Sequence, residues 1–352
     1  MENKMSPAIL IAALIAGWLT FAAFRIVHAS GFYAGKTIRV IVGFAPGGGH
    51  DTYARAVTRH MGKHIPGNPK FVVENMDGAG SLLAANYLYS KAGADGLTIG
   101  SWNNLMILQQ ALGAQAVRFD ARRFGWIGAP SQSRSVCAVM AFTGLKNLDD
   151  VLSTRRALKI GATREGSTTD DLPKLMNMFM KTNFNVISGY TGTATIRVAM
   201  ESHELDGACW GWESMKVTAR PLLSTGGDGR LIPYVIDGAS KDPEVKDLSQ
   251  FTEVIKDADD LAAFKVWKKP KEFERALAVP PNTPKERLAV FRQAYQQTLA
   301  DSAFLAEAEK SKMLIEPVRG ERVEQAVNEL LAISPQTRRK LQFLITKQGK
   351  VS

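Results

Sequence analysis

Three consecutive glycines, Gly47, Gly48 and Gly49, separate a predicted strand from a predicted helix. Because glycine has no Cβ, successive backbone N–H groups can converge there on a ligand, and the helix dipole favours an anion at that end. His50 and Asp51 follow directly, and Asp51 is equally suited to cap the helix. The pattern therefore predicts an anion-binding loop or, alternatively, a tight turn closed by a capping carboxylate.

A second loop of the same kind runs from Thr163 to Thr169, again between a predicted strand and a predicted helix. Gly166, Ser167 and Thr168 offer free N–H groups and hydroxyls at the start of that helix. Arg164 could clamp a carboxylate through two parallel hydrogen bonds. The alternative is an ordinary helix cap beside a surface arginine.

Other predicted strands also end in polar or aromatic residues, namely Asn103, Asn104, Tyr190, Thr191 and Trp212. Aromatic side chains beside anion-binding backbone form the walls of small-molecule clefts, although a tryptophan on a strand is more often part of the core. Open α/β sheets bind ligands at the carboxyl ends of their parallel strands. The joint placement of these residues predicts a ligand cleft to which both halves of the chain contribute.

The sequence gives little support to an enzyme. It contains no phosphate-binding P-loop and no G-x-S-x-G nucleophile motif. His60 and His64 have a metal-ligand spacing, but Met61 stands where the acid of an H-E-x-x-H site is needed. We therefore expect no cofactor, no metal and no catalytic residue. An exported α/β enzyme with Asp51 or Glu213 as a general base remains the alternative.

The elements that must position these residues alternate between short apolar runs and helical patterns, which is typical of a parallel sheet flanked by helices. Thr37–Phe44 is nearly continuous in apolar and β-branched residues and is predicted to be a strand buried on both faces. The helical spacing of apolar residues predicts helices over Thr193–Glu201 and Ser302–Lys310. The chain thus belongs to the α/β class.

The N-terminal segment and the net charge of the chain indicate its compartment and the class of its ligands. Its 352 residues suffice for about two domains of ordinary size. The uncharged run from Ala8 to Phe24 predicts a signal peptide over residues 1–29 and hence a periplasmic protein, with an uncleaved anchor as the alternative. The net charge of +10 fits small anionic ligands, and we expect no nucleic acid partner outside the cytoplasm.

In the oxidising periplasm, Cys137 and Cys209 could form one disulfide or remain two buried thiols.

From about Tyr33 to the C-terminus the chain resembles the receptors of tripartite tricarboxylate transporters, the Bug family of periplasmic solute-binding proteins. The most specific part is KTIRVIVGFAPGGGHDTYAR followed by FVVENMDGAGSLLAANYL, which is similar to the family's strand, P-G-G-G-x-D loop, helix and V-E-N-x-x-G-A-G segment. The late segment ALAVPPNTPKERLAVFRQAYQQTLADSAFLAEAEKSKM is similar to the family's closing helices. His50 and the pair Arg164-Glu165 depart from the family pattern and leave the identity of the carboxylate open.

This resemblance implies the type II, or Venus-flytrap, periplasmic binding protein fold, with two α/β lobes joined by crossing hinge strands. The first lobe would hold about 33–131 and 233–352, and the second about 132–232. The implied function is to capture a small anionic carboxylate between the loops Gly47–Asp51 and Thr163–Thr168 and to deliver it, as a monomer, to a membrane permease. A sensor of the same fold that feeds a membrane kinase is the alternative.

Overall fold

The computed structural model of the protein describes residues 31–346. The predicted signal peptide over residues 1–29 lies outside the described residues. Within residues 31–346, no helix combines the length and the apolar character that crossing a membrane requires.

Short strands alternate with helices along most of the described chain. The strands are β1 (Thr37–Val42), β2 (Lys70–Asn75), β3 (Thr98–Ser101), β4 (Gly125–Ala129), β5 (Ser135–Met140), β6 (Leu158–Ala162), β7 (Phe184–Ser188), β8 (Gly207–Gly211), β9 (Leu231–Ile236), β10 (Leu277–Val279) and β11 (Val318–Arg319). The helices are α1 (Gly49–Met61), α2 (Leu82–Ser90), α3 (Leu105–Ala111), α4 (Leu148–Ser153), α5 (Thr168–Phe179), α6 (Thr193–Glu201), α7 (Trp212–Thr218), α8 (Arg220–Ser224), α9 (Phe251–Val254), α10 (Ala258–Lys268), α11 (Lys285–Leu299), α12 (Ser302–Lys310), α13 (Gly320–Leu331) and α14 (Pro335–Thr346).

The strands form two separate mixed sheets, one in each lobe. The first sheet has the order β11-β4-β10-β3-β1-β2, and its strands β1, β2 and β3 are parallel. The second has the order β7-β6-β8-β5-β9, in which β6 is parallel to β7 and β8, and β5 is antiparallel to β8 and β9. The chain crosses from β4 to β5 and returns between β9 and β10. The predicted α/β fold of two lobes with crossing connections is confirmed.

The predicted lobe boundary between residues 232 and 233 needs correction. It falls inside β9, which pairs with β5 in the second sheet, where Ile236 lies opposite Val136. The chain stays with this lobe further on, because Trp267 of α10 donates a hydrogen bond to Asp171 of α5 at 3.0 Å. Which sheet a strand joins depends on residues distant in sequence, and the local pattern of β9 does not carry that information.

Local sequence explains the buried strands well. In β1, the side chains of Ile38, Val40 and Val42 are fully buried because the strand has a neighbour on each side and helices cover the sheet. In the second sheet, Cys137 of β5 lies directly opposite Cys209 of β8, and their sulfur atoms are bonded. The structure thus has the disulfide form of the two alternatives that the sequence left open.

Candidate ligand-binding cleft

A cavity of about 60 Å³ lies between the two lobes, next to the ends of β1, β3, β6 and β8. That volume is roughly the room that four to six water molecules need, so the closed cleft accepts only a small ligand. Part of the predicted site set lines the cavity, namely Gly48, Gly49, His50, Asn103 and Thr168. The other predicted residues lie outside the lining, namely Gly47, Asp51, Asn104, Arg164, Gly166, Ser167, Tyr190, Thr191 and Trp212.

Asp51 stabilises the glycine loop through the hydrogen bonds of its carboxylate. Its carboxylate accepts hydrogen bonds from the N–H of Gly47 at 2.9 Å, from Nε of Arg55 at 2.9 Å and from Nδ2 of Asn75 at 2.8 Å. Burial opposes ionisation, but the hydrogen bonds from Arg55, Gly47 and Asn75 hold the pKa of Asp51 below its usual value. The oxygens of Asp51 are thus used within the loop, and its contact with a ligand stays a prediction.

Gly48 and Gly49 allow the second lobe to approach closely. A Cβ on Gly48 would lie 3.3 Å from Oγ1 of Thr193, and one on Gly49 would overlap the side chain of Ser214. Both partners belong to the second lobe. The glycines therefore serve the contact between the lobes as well as the access to backbone N–H groups at the start of α1.

The second loop contains a closed network of hydroxyls. Oγ1 of Thr163 donates to Oγ of Ser167 at 2.9 Å, and Oγ of Ser167 lies 2.9 Å from Oγ1 of Thr169. Oγ1 of Thr169 also accepts from the N–H of Thr163 at 2.9 Å. Ser167 thus stabilises the loop from within, whereas the hydroxyl of Thr168 lines the cavity and has no hydrogen-bond partner in residues 31–346.

Arg164 and Gly166 lie at the rim of the cleft, where they contact the first lobe. Nη1 of Arg164 donates to the carbonyl oxygen of Ala79 at 2.8 Å. Gly166 adopts a φ of +80°, and a Cβ there would lie 2.5 Å from Nε2 of Gln109. The guanidinium of Arg164 thus bridges the two lobes through a backbone oxygen, and the carboxylate clamp at Arg164 stays a prediction.

The remaining predicted residues have other local partners. Asn104 is fully buried, and its side-chain amide donates to the carbonyl oxygen of Phe273. The hydroxyl of Tyr190 donates to Glu204 at 2.6 Å, and Thr191 lies beside Thr195 on the exposed surface. Tyr190 and Thr191 follow β7, the edge strand of its sheet, and lie outside the cavity lining, which the chain reaches at Thr193.

Trp212 also lies outside the cavity lining. It is 1% exposed and packs in the apolar core of the second lobe. Packing in the core is the alternative to a ligand contact for a tryptophan at the end of a strand. Trp210, two positions earlier and within β8, lines the cavity instead.

The most strongly charged part of the cavity was missed from the sequence. Arg275 lies just before β10, is 4% exposed and lines the cavity. Its Nη1 donates to Oγ of Ser131 at 2.9 Å, and the guanidinium lies 4.7 Å from the centre of the Tyr53 ring. It forms no ion pair with any carboxylate of the described residues. No motif surrounds it in the sequence that could have revealed this role.

Glu274 and His50 form a buried pair beside Arg275. Nε2 of His50 lies 3.1 Å from Oε1 of Glu274, and the imidazole packs on Phe44 with ring centres 4.7 Å apart. Burial lowers the pKa of His50 overall, against the hydrogen bond and the charge of Glu274, which raise it, and the charge of Arg275 acts in the same direction as burial. Burial alone would raise the pKa of Glu274, but the hydrogen bond from His50 and the charges of Arg275 and Lys271 lower it overall.

The protonation states follow from these shifts. A neutral His50 donates through Nε2 to the ionised Glu274, so the free lone pair of the ring is on Nδ1. Nδ1 is buried and has no hydrogen-bond partner among the described residues. The pair therefore offers the cavity a fixed acceptor.

The two candidates for a general base do not line the cavity. Glu213 is buried behind it, where its carboxylate accepts from Oγ of Ser133 at 2.8 Å and from the N–H of Arg134 at 3.0 Å. Burial raises its pKa to about 7, although the charge of Arg275 acts in the opposite direction. Asp51, the other candidate, is used in its own loop. Neither of the two residues proposed as a general base for the enzyme alternative therefore lines the cavity.

The histidines with metal-ligand spacing are bound to acidic residues of α12 and of the turn before it. Nε2 of His60 lies 2.8 Å from Glu307, and Nε2 of His64 lies 3.0 Å from Asp301. Across residues 31–346, no group of three or more His, Cys, Asp or Glu side chains could hold a metal ion. These histidines stabilise the packing of α12 on α1.

Comparison with known proteins gives similarity in structure alone. No protein-family model matches the chain, and no curated protein matches its sequence. The periplasmic binding protein BugD superposes with a TM-score of 0.70 at 19% identity, covering 89% of this chain and 98% of that one. MatC from Rhodopseudomonas palustris, solved with bound malate, gives a TM-score of 0.68 at 22% identity, covering 88% of this chain and 99% of that one.

A second protein from R. palustris, solved with adipate, has a TM-score of 0.69 at 18% identity and covers 88% of this chain and 97% of its own. The shared architecture extends over both lobes, because nearly nine-tenths of this chain are covered in each of these superpositions. The resemblance to the Bug receptors that the sequence indicated is thereby confirmed at the level of the fold: this chain has the two-lobe architecture of these periplasmic binding proteins.

Proposed function

We propose that this protein is an extracytoplasmic solute-binding receptor that captures a small carboxylate between its lobes and delivers it to a membrane permease of the tripartite tricarboxylate type. The observation that carries the proposal is a buried guanidinium, that of Arg275, which lines the interlobe cavity without a carboxylate partner among the described residues. A buried cation is costly unless an anion pairs with it. Two proteins of the same fold were solved with organic acids, malate and adipate.

Capture requires contacts from both lobes. A ligand shifts the equilibrium between open and closed forms only by its difference in affinity for the two. In this cleft, Arg275 and His50 belong to the first lobe, whereas Thr168 and Ser214 belong to the second. A carboxylate held by Arg275 would gain hydrogen bonds from the second lobe only on closure. The closed form is then the one that the permease recognises, and the solute is released unchanged.

The cellular setting is part of the same proposal. The signal peptide predicted over residues 1–29 would export the chain to the periplasm, where it acts as a monomer. The proteins of similar structure are described as periplasmic, which supports this placement. The net charge of +10 favours encounter with anionic solutes over cationic ones.

The experiment that tests the proposal is a binding screen of the chain without residues 1–29. Thermal shift and calorimetry are run against mono-, di- and tricarboxylates, with sugars and amines as controls, since a ligand that binds only the native state raises the melting temperature. We expect saturable binding by carboxylates alone, with the bound acid recovered unchanged. Binding by sugars or amines alone, or chemical conversion of the acid, would contradict the proposal. Uptake of the bound acid by cells with and without the receptor then tests delivery.

A further inference from the structure

Several residues that line the cavity each have a buried polar atom with no hydrogen-bond partner in the described part of the chain. These atoms comprise Nε of Arg275, Nε1 of Trp210, Oγ of Ser214 and Nδ1 of His50. Folded proteins satisfy the large majority of their buried polar groups, so a cluster of exceptions around one cavity points to a ligand. The cluster also specifies the chemistry of that ligand, because donors and acceptors are distinguishable.

The donors in the cluster suit a carboxylate. Nε of Arg275 and Nε1 of Trp210 carry hydrogens and cannot accept, and the guanidinium adds a full positive charge. Hydrogen bonds from a charged donor to a carboxylate are about twice as strong as neutral ones. Arg275 also adopts a φ of +61°, a left-handed conformation that is costly for a residue with a side chain and that clusters at functional sites.

The acceptor in the cluster, Nδ1 of His50, requires a hydrogen-bond donor. Because Nε2–H of neutral His50 donates to Glu274, Nδ1 carries no hydrogen and can only accept, so an ionised carboxylate oxygen cannot satisfy it. A ligand that satisfies Nδ1 directly presents an O–H or N–H group. In a cavity of about 60 Å³ that His50 and Arg275 both line, this donor must lie close to the carboxylate.

We propose that the natural ligand is a small acid with a hydroxyl or ammonium group next to its carboxylate. Arg275 binds the carboxylate, and Nδ1 of His50 accepts the hydrogen bond from the neighbouring group. Glu274 is a positioning residue that fixes the tautomer and orientation of His50. This inference rests on the proposed function and narrows its substrate class.

The test uses two series of acids that differ only in the group next to the carboxylate. One series is propionate, lactate and alanine, and the other is succinate, malate and aspartate, with both enantiomers of each chiral acid. Calorimetry measures the affinity of each acid. In the series that fits the cavity, the hydroxy or amino acid should bind at least about tenfold more tightly than the unsubstituted acid, because the unsubstituted acid leaves Nδ1 of His50 unpaired. The ratio between the hydroxy and the amino member identifies the donor.

Variants then assign the effect to residues. His50→Phe keeps a ring against Phe44 but removes the acceptor, so the preference within a series should fall to about onefold while the unsubstituted acid still binds. His64→Phe is the matched control, since His64 bonds to Asp301 away from the cleft and the preference should persist. Arg275→Met should weaken all members of the series by about a hundredfold or more.

Each outcome decides the inference. Equal affinity for substituted and unsubstituted acids overturns it while leaving the proposed function intact. Persistence of the preference in His50→Phe overturns the role of His50. Failure of every carboxylate to bind overturns the proposed function together with this inference. The wild-type series alone is decisive should a variant fail to fold, which far-ultraviolet circular dichroism would detect.

Discussion

The two walls of the cleft differ in their chemistry. The first lobe contributes titratable groups, His50, Glu274 and Arg275, all of them buried and hydrogen-bonded in place. The second lobe contributes neutral donors, among them the hydroxyls of Thr168 and Ser214. Charged groups act over several ångströms, whereas hydroxyls act only at contact distance. Under the proposed function we therefore expect the first lobe to hold an anion before closure, and the second lobe to add hydrogen bonds only on closure.

The largest effect should come from blocking the contact between these walls. In Gly49→Val, the side chain would overlap Ser214 in the closed form but meet nothing in an open one. We expect affinity for the carboxylate to fall by about a hundredfold, or about 3 kcal/mol, because overpacking of a closed contact costs up to this amount. Calorimetry measures the affinity, and X-ray scattering shows whether ligand still compacts the chain.

The matched control lies two residues earlier in the same loop. Gly47 has a φ of +79° and open space around its Cα, so Gly47→Ala introduces backbone strain without obstructing the second lobe. It should cost about 1 kcal/mol of stability and leave affinity nearly unchanged. Wild-type affinity in Gly49→Val would show that the observed approach of the lobes is not required for binding.

A buried acid behind the neutral wall should make stability depend on pH. Burial raises the pKa of Glu213 to about 7 from a usual value of 4.5. Since the folded state holds this proton more tightly than the unfolded chain, the corresponding stability is present below pH 4.5 and is lost as the pH rises through 7. Between pH 4.5 and 8 the wild type should therefore lose about 3 kcal/mol of its free energy of unfolding through Glu213. In Glu213→Gln this loss should be absent.

Denaturant unfolding of both proteins at several pH values measures this difference. Glutamine still offers an oxygen to Ser133, so the variant should fold. Asp171, whose pKa burial also raises to about 7, is present in both proteins and cancels in the comparison. Parallel pH profiles for the wild type and Glu213→Gln would mean that Glu213 is not desolvated as the structure shows.

The sequence predicts residues that follow local signals better than those that the returning chain brings to the cleft, and the reason is physical. β1 and the glycine loop are recognisable because β-branched runs, glycines and helix starts are local signals. The predicted helices Thr193–Glu201 and Ser302–Lys310 match α6 and α12 for the same reason. Thr168 was found because it begins a helix directly after a strand.

Glu274 and Arg275 carry no such signal. They follow a short, strongly charged segment that resembles a solvated surface, and only the return of the chain from the second lobe brings them to the cavity. The short strands β4 and β10 were missed as well, because runs of five and three residues are too short to show a clear period. Contacts made across the hinge depend on tertiary structure and are absent from any local pattern.

A single hydroxyl of the neutral wall should have a moderate effect. Thr168→Val removes a hydroxyl that lines the cavity and has no partner in residues 31–346, so its loss leaves no protein group unpaired. We expect affinity to fall about tenfold, which corresponds to one hydrogen bond of about 1.4 kcal/mol. Thr191→Val, on the exposed surface outside the cleft, is the matched control and should bind as the wild type. Equal affinities for both variants would remove Thr168 from the binding wall.

The smallest effect should come from the rim. Arg164 bonds to the carbonyl oxygen of Ala79 across the lobes, but the bond is exposed to solvent, so its net contribution to closure is about 0.5 kcal/mol. Arg164→Ala should therefore reduce affinity only two- to threefold, as measured by calorimetry beside the exposed Arg155→Ala. A loss as large as that in Arg275→Met would contradict the distinction, because it would mean that the rim arginine reaches the ligand and that charge on the second lobe also holds the anion.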